Sequence, residues 1–77
     1  MKPNNHECWW YANGLDPSEC MKILKTLPRR LQDVIYKRLW EGMTYIEIGK
    51  FYGVTKQRAW QLFQDGVEHI RNELEDK

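Results

Sequence analysis

The chain has no long apolar run, little cysteine and almost no net charge, and each shortage excludes something. No stretch of its 77 residues stays apolar over the roughly 20 positions that a membrane-spanning helix needs. The first residues, Met1-Lys2-Pro3-Asn4-Asn5-His6, carry no secretory signal pattern. A cytoplasmic protein without membrane contact is expected. Cysteine occurs twice, at Cys8 and Cys20, which suits free thiols in a reducing compartment rather than a disulfide framework. A metal set could be drawn from His6, Cys8, Cys20 and His69. The pair His6-Glu7-Cys8 falls short of the usual ligand gap of about two to four residues, however, and no second pair follows. No metal and no cofactor are expected. The plainer reading makes Cys20 a core residue, Cys8 incidental, and His6 and His69 surface residues, with His69 one helical turn from Asp65.

Catalytic groupings are missing too. The chain shows no Ser-His-Asp set, no glycine-rich phosphate loop and no paired-carboxylate cleft, so catalytic residues are not expected and the chain does not read as an enzyme. The formal charge is +1, from 12 Lys and Arg against 11 Asp and Glu. That counts against a dedicated nucleic-acid binder, which is usually basic. Along the chain the charges are less even. Arg29, Arg30, Lys37, Arg38, Lys50, Lys56 and Arg58 fall in the middle, while Asp65, Glu68, Glu73, Glu75 and Asp76 come after them. Two arrangements fit this order: a basic face with an acidic tail, or a mixed-charge solvated surface.

No strand alternation, repeat, linker or low-complexity segment occurs, and what remains is helical signal. Residues 1–15 form an aromatic N-terminal segment that does not read as regular structure. Asn4-Asn5 and Asn13-Gly14 are turn formers. Between them Trp9-Trp10-Tyr11 is costly to leave in water, since each ring is worth about 2–3 kcal/mol on burial. The segment folds back on the domain or onto a partner. Residues 16–77 form the domain proper. A helix opens at Asp16-Pro17-Ser18-Glu19, where Asp16 caps, Pro17 suits the first turn and Glu19 completes a capping box. Cys20, Ile23, Leu24 and Leu27 give it one apolar face. Pro28 separates it from a second helix striped by Leu31, Val34, Ile35 and Leu39, with Arg30, Lys37 and Arg38 off the stripe. Glu41-Gly42 stops that helix.

The stretch from Thr44 to Leu62 is the most specific part of the chain. Thr44 and Glu47 make a capping box for a short helix from about Tyr45 to Tyr52. Gly49 is small enough for a second helix to cross closely, Gly53 suits a turn needing φ > 0, and Val54 plugs the angle. Thr55 caps a last helix from about Lys56 to Glu75, whose inward residues are Ala59, Leu62, Gly66, Ile70 and Leu74. Small residue, turn glycine, apolar plug and inward apolar pair are what a helix-turn-helix needs. The alternative is an ordinary helix pair with no ligand. The expected fold is all-α, a compact four-helix domain containing a helix-turn-helix. Lys56, Gln57, Trp60, Gln61 and Gln64 project away from the inward stripe. Gln57 and Gln61 suit adenine, and Lys56 suits guanine or phosphate.

Three segments, Leu27-Pro28-Arg29-Arg30-Leu31-Gln32-Asp33-Val34-Ile35, Glu41-Gly42-Met43-Thr44-Tyr45-Ile46-Glu47-Ile48-Gly49 and Gly53-Val54-Thr55-Lys56-Gln57-Arg58, resemble region four of bacterial sigma factors. The likeness covers about Asp16 to Leu74. It implies a domain that binds the upstream promoter hexamer and docks on the flap of the RNA polymerase β subunit. The promoter-melting domain of a full sigma factor is not in this sequence, which is similar to small phage- or plasmid-borne regulators using such a domain alone. The resemblance puts Lys56, Gln57, Trp60 and Gln61 at base-reading positions, Arg58 at a flanking basic position, and Arg30 and Arg38 at phosphate-contacting positions. Thr44 and Thr55, at two helix N-termini, complete the expected backbone contacts. Two residues depart from the family pattern. Trp60 stands where arginine is usual, and Ile46 where a polar or acidic residue is usual.

The expected function is therefore sequence-specific binding of double-stranded DNA by a transcription regulator, in a homodimer on a two-fold site. The alternative is an interaction module for RNA polymerase or a sigma factor with weak or no DNA contact, which near-neutral charge and Trp60 would suit. Trp60 has a further bland reading, as a cover over Trp9-Trp10.

Overall fold

The computed structural model describes residues 5–75, with side chains from Glu7 onward. The expected Asn4-Asn5 turn, the His6 side chain and the acidic Asp76 lie outside the described residues. Among the described residues five helices form: α1 (Asn5–Ala12), α2 (Pro17–Leu24), α3 (Arg29–Leu39), α4 (Tyr45–Tyr52) and α5 (Lys56–Glu75). Several starts and stops have a local cause. Asp16 accepts a hydrogen bond from the Ser18 amide at 2.9 Å and caps α2, with Pro17 in the first turn. The helix closes at Leu24, three residues before the end expected from Leu27-Pro28. Beyond it the Thr26 hydroxyl donates to the Ile23 carbonyl at 2.7 Å, and the Gln32 amide donates to the Leu27 carbonyl at 2.8 Å. These side chains satisfy carbonyls that a longer helix would have bonded itself. Helix α3 ends at Leu39, and Gly42 takes up φ +70° so that the Met43 amide reaches back to the Lys37 carbonyl at 2.9 Å.

The five helices correct the expected four, and the correction lies in the N-terminal segment. Residues 5–12 are helical rather than irregular. Trp10 is fully buried in the main core, and Trp9 is half-buried, edge-on to Trp10 at 5.1 Å and to Phe63 at 5.3 Å. The two rings are consecutive, so they give no i, i+3 or i, i+4 pattern, and periodicity is blind to such a helix. Its formation is carried by burial of the rings instead. Asn13-Gly14 does end it. The Asn13 side chain donates to the Trp9 carbonyl at 2.8 Å, and Gly14 turns the chain at φ +73°.

Helix α5 is the central element and packs against α2, α3 and α4. Cys20 and Leu24 of α2, Val34 and Ile35 of α3, Ile48 of α4, and Phe63 and Ile70 of α5 meet Trp10 in one core with essentially no exposure. Gly66 is where the Ile35 side chain of α3 rests against the α5 backbone. A Cβ there would stand 2.7 Å from Ile35 Cδ1, the tip of a side chain that would have to turn aside. Leu31, expected inward, is half-buried, as is Leu74, while Phe63 and Val67 widen the inward stripe of α5.

Candidate nucleic-acid interface

The hairpin of α4 and α5 is set by backbone geometry. Gly53 adopts φ +71°, ψ 32°, a left-handed conformation that glycine reaches without a Cβ penalty. The Val54 amide then donates to the Gly49 carbonyl at 2.8 Å. A Cβ on Gly49 would fall 2.7 Å from the Val54 carbonyl oxygen and 3.2 Å from the Thr55 carbonyl carbon. Gly49 is thus the place where the chain entering α5 crosses α4. Thr44 and Glu47 form the full capping box, the hydroxyl accepting from the Glu47 amide at 3.2 Å and the carboxylate accepting from the Thr44 amide at 3.0 Å. The backbone bond from Thr44, followed by its side-chain bond, holds the Glu47 carboxyl below its ordinary pKa. Thr55 caps α5 by accepting from the Arg58 amide at 3.1 Å.

With Ala59, Leu62 and Phe63 turned into the core, Lys56, Gln57, Arg58, Trp60 and Gln61 are exposed on the first turns of α5. The four expected base readers share this exposed stretch. Gln61 is already engaged, donating to the Asp65 carboxylate at 3.0 Å along its own helix. Asp65, expected within reach of His69, accepts this bond. Trp60 is 44 % exposed and joins Tyr45, Lys56 and Gln57 around a shallow, mostly apolar groove. Trp9 has Trp10 and Phe63 as its ring neighbours.

The backbone candidates divide in two. Arg30 is exposed on α3, its guanidinium 5.7 Å from the Tyr52 ring centre. Thr44, Thr55 and Arg58 are exposed as well. Arg38 is half-buried: it donates to the Met43 carbonyl at 3.3 Å and lies 4.9 Å from the Tyr45 ring centre. It holds the end of α3 to the loop that enters α4. Lys37 is also drawn inward, 4.1 Å above the Phe51 ring and 3.9 Å from Glu41. Across residues 48–64 the sequence has no acid, while Lys50, Lys56 and Arg58 are exposed. The segment between Glu47 and Asp65 is therefore locally positive although the chain is near neutral.

The family model for sigma-70 region 4 matches residues 23–72. The chain belongs to the sigma-70 region 4 family. No curated protein and no solved structure matches it. Sigma-70 region 4 is a DNA-binding helix-turn-helix domain, which is the arrangement of α4, Gly53 and α5 here. The matched region begins inside α2, so α1 lies outside it, although α1 delivers Trp10 to the core of this sigma-70 region 4 domain. Tyr45 is not among the site residues expected from the sequence. It sits at the first position of α4, edge-on to Phe63 at 5.9 Å and beneath Arg38, and forms one side of the groove next to Trp60. Its place beside a capping threonine reads as ordinary helix packing. Only the crossing of α5 brings it to the interface.

Proposed function

We propose that the chain is a transcription regulator that binds double-stranded DNA sequence-specifically, with the first turns of α5 in the major groove. The observation that carries this reading is the exposed row Lys56, Gln57, Trp60 and Gln61 on a capped helix, within a stretch, residues 48–64, that contains no acid. Gln57 and Gln61 present amides for adenine, and Lys56 a cation for guanine or phosphate. Arg30, Arg58, Thr44 and Thr55 contact the sugar-phosphate backbone, and Arg38 lends charge while bracing the loop. The role is binding in the cytoplasm, not catalysis. Among the described residues no helix is long and apolar enough to cross a membrane.

A single recognition helix gains affinity by pairing on a two-fold site, so we propose a homodimer as the binding form. Trp10 is spent inside one copy, so this rests on site geometry rather than on the N-terminal aromatics. A second reading, docking on the RNA polymerase β flap, is favoured by Phe51 at 64 % and Ile46 at 51 % exposure.

Selection of bound duplexes from a random pool, followed by salt titration on the winner, tests the proposal. Enrichment of one motif and a linear fall of log affinity with log salt are expected. A pool that enriches no motif, with polymerase bound instead, would select the second reading. Sedimentation with and without the selected duplex reads the stoichiometry.

A further inference from the structure

We infer that the groove between Tyr45 and Trp60 seats the 5-methyl group of a thymine, making this chain prefer a thymine beside the adenine read by Gln57. The inference rests on the DNA-binding proposal above and adds a specific ligand to it. Four residues line the groove: Tyr45 from α4, and Lys56, Gln57 and Trp60 from α5. It measures about 330 Å³ and opens to solvent, enough for the methyl-bearing edge of a pyrimidine.

The walls differ in character. Tyr45 is fixed from two sides, by the Phe63 ring at 5.9 Å and the Arg38 guanidinium at 4.9 Å. Trp60 is 44 % exposed, which leaves part of its indole surface open to a ligand in this groove. Between the Tyr45 ring and the exposed indole, the groove offers apolar contact, and no arginine lines it. In the major groove the one apolar base substituent is the thymine methyl, and apolar side chains discriminate thymine by touching it.

The rim fixes which occupant fits. Lys56 is a phosphate-seeking cation, and Gln57 can take adenine N6 and N7 with both ends of its amide. No acid occurs across residues 48–64, whereas Lys50, Lys56 and Arg58 are exposed there. This charge suits a polyanion beside the apolar groove. An adenine next to a thymine supplies both of the required edges.

The test uses the full chain and its selected duplex. Each thymine of the site is replaced in turn by uracil, which keeps the pairing and removes only the methyl. One position is expected to lose affinity by about 3–5-fold, the effect of one buried methyl group. In Trp60→Ala, whose side chain is exposed and whose folding is checked by circular dichroism, the same thymine and uracil duplexes should bind alike. A selected duplex that tolerates uracil at every thymine overturns the inference and leaves the DNA-binding proposal standing. A uracil penalty that persists in Trp60→Ala overturns its assignment to this groove. Failure to select any duplex removes both.

Discussion

The carbonyl oxygen of Val54 lies 2.7 Å from the point where a Cβ on Gly49 would stand. This single relationship fixes how closely α5 can leave α4, and with it the attitude of the recognition face. The obstructing atom is backbone, which cannot rotate aside as a side-chain tip can. Gly49→Ala would gain about 0.5–1 kcal/mol of helix propensity but should lose more by overpacking, of order 1–3 kcal/mol. Thermal unfolding should show a lower Tm. An unchanged or raised Tm would mean that the hairpin opens at little cost.

Trp10 should be the most sensitive residue outside the matched family region. Its ring is fully buried in the core cluster, edge-on to Trp9 at 5.1 Å. Trp10→Ala should cost about 3–5 kcal/mol, a large part of the stability of a small domain. Removing residues 1–13 should abolish cooperative unfolding rather than leave a shortened helical domain. Denaturant titration followed at 222 nm checks both, and a cooperative transition in the truncated chain would contradict them.

Asp65 competes with DNA for the side-chain amide of Gln61. Gln61→Ala should weaken the preferred duplex by about 1–3 kcal/mol and relax preference at one base pair. Asp65→Ala frees the amide that Asp65 now holds at 3.0 Å and removes an acid next to the reading face. It should bind the preferred duplex more tightly. Equal losses for Gln61→Ala on preferred and scrambled duplexes would show that this residue does not read bases.

The two arginines of α3 should separate. Arg30→Ala should flatten the slope of log affinity against log salt by about 1 unit with folding unaffected, because the side chain is exposed. Arg38→Ala should also lower Tm, because its bond to the Met43 carbonyl and its contact with Tyr45 are lost. Salt titration beside thermal melts of both variants reads the difference. A slope unchanged in Arg30→Ala would place α3 away from DNA.

Stability should fall at alkaline pH through Cys20. Burial, then the nearby charges of Asp16 and Glu19, push its thiol from 9.0 up to about 11. The folded state therefore holds the proton more tightly than the unfolded chain. The stabilisation is complete below pH 9 and is lost as pH rises toward 11, amounting to roughly 2–3 kcal/mol. Tyr52, raised chiefly by burial, acts in the same direction. Cys20→Ala should reduce the drop in stability between pH 8.5 and pH 10.5 in urea melts. In native protein a thiol reagent should modify exposed Cys8 at once and Cys20 only on unfolding.

Much of this molecule follows from local chemistry that a single segment contains. The capping box of Thr44 and Glu47, the left-handed Gly53, the Thr55 cap and the bounds of α4 and α5 depend on residues within a few positions of one another, so sequence spacing carries them. The exposed side of α5 is legible from Lys56 to Gln61, because apolar residues at helical spacing define the opposite side, whereas Gln64, expected outward, is half-buried beside Trp9. Two features depend on elements distant in the chain. Helix α1 exists because Trp9 and Trp10 reach Phe63 and the core across more than 50 positions, and adjacent rings leave no helical period to detect. The groove beside Trp60 exists because α4 brings Tyr45 next to the start of α5, and Arg38 is drawn into bracing that corner rather than left free. Helix ends are decided by bonds within one turn. Which side chains share a surface is decided by packing between helices, and that packing is known only once they are assembled.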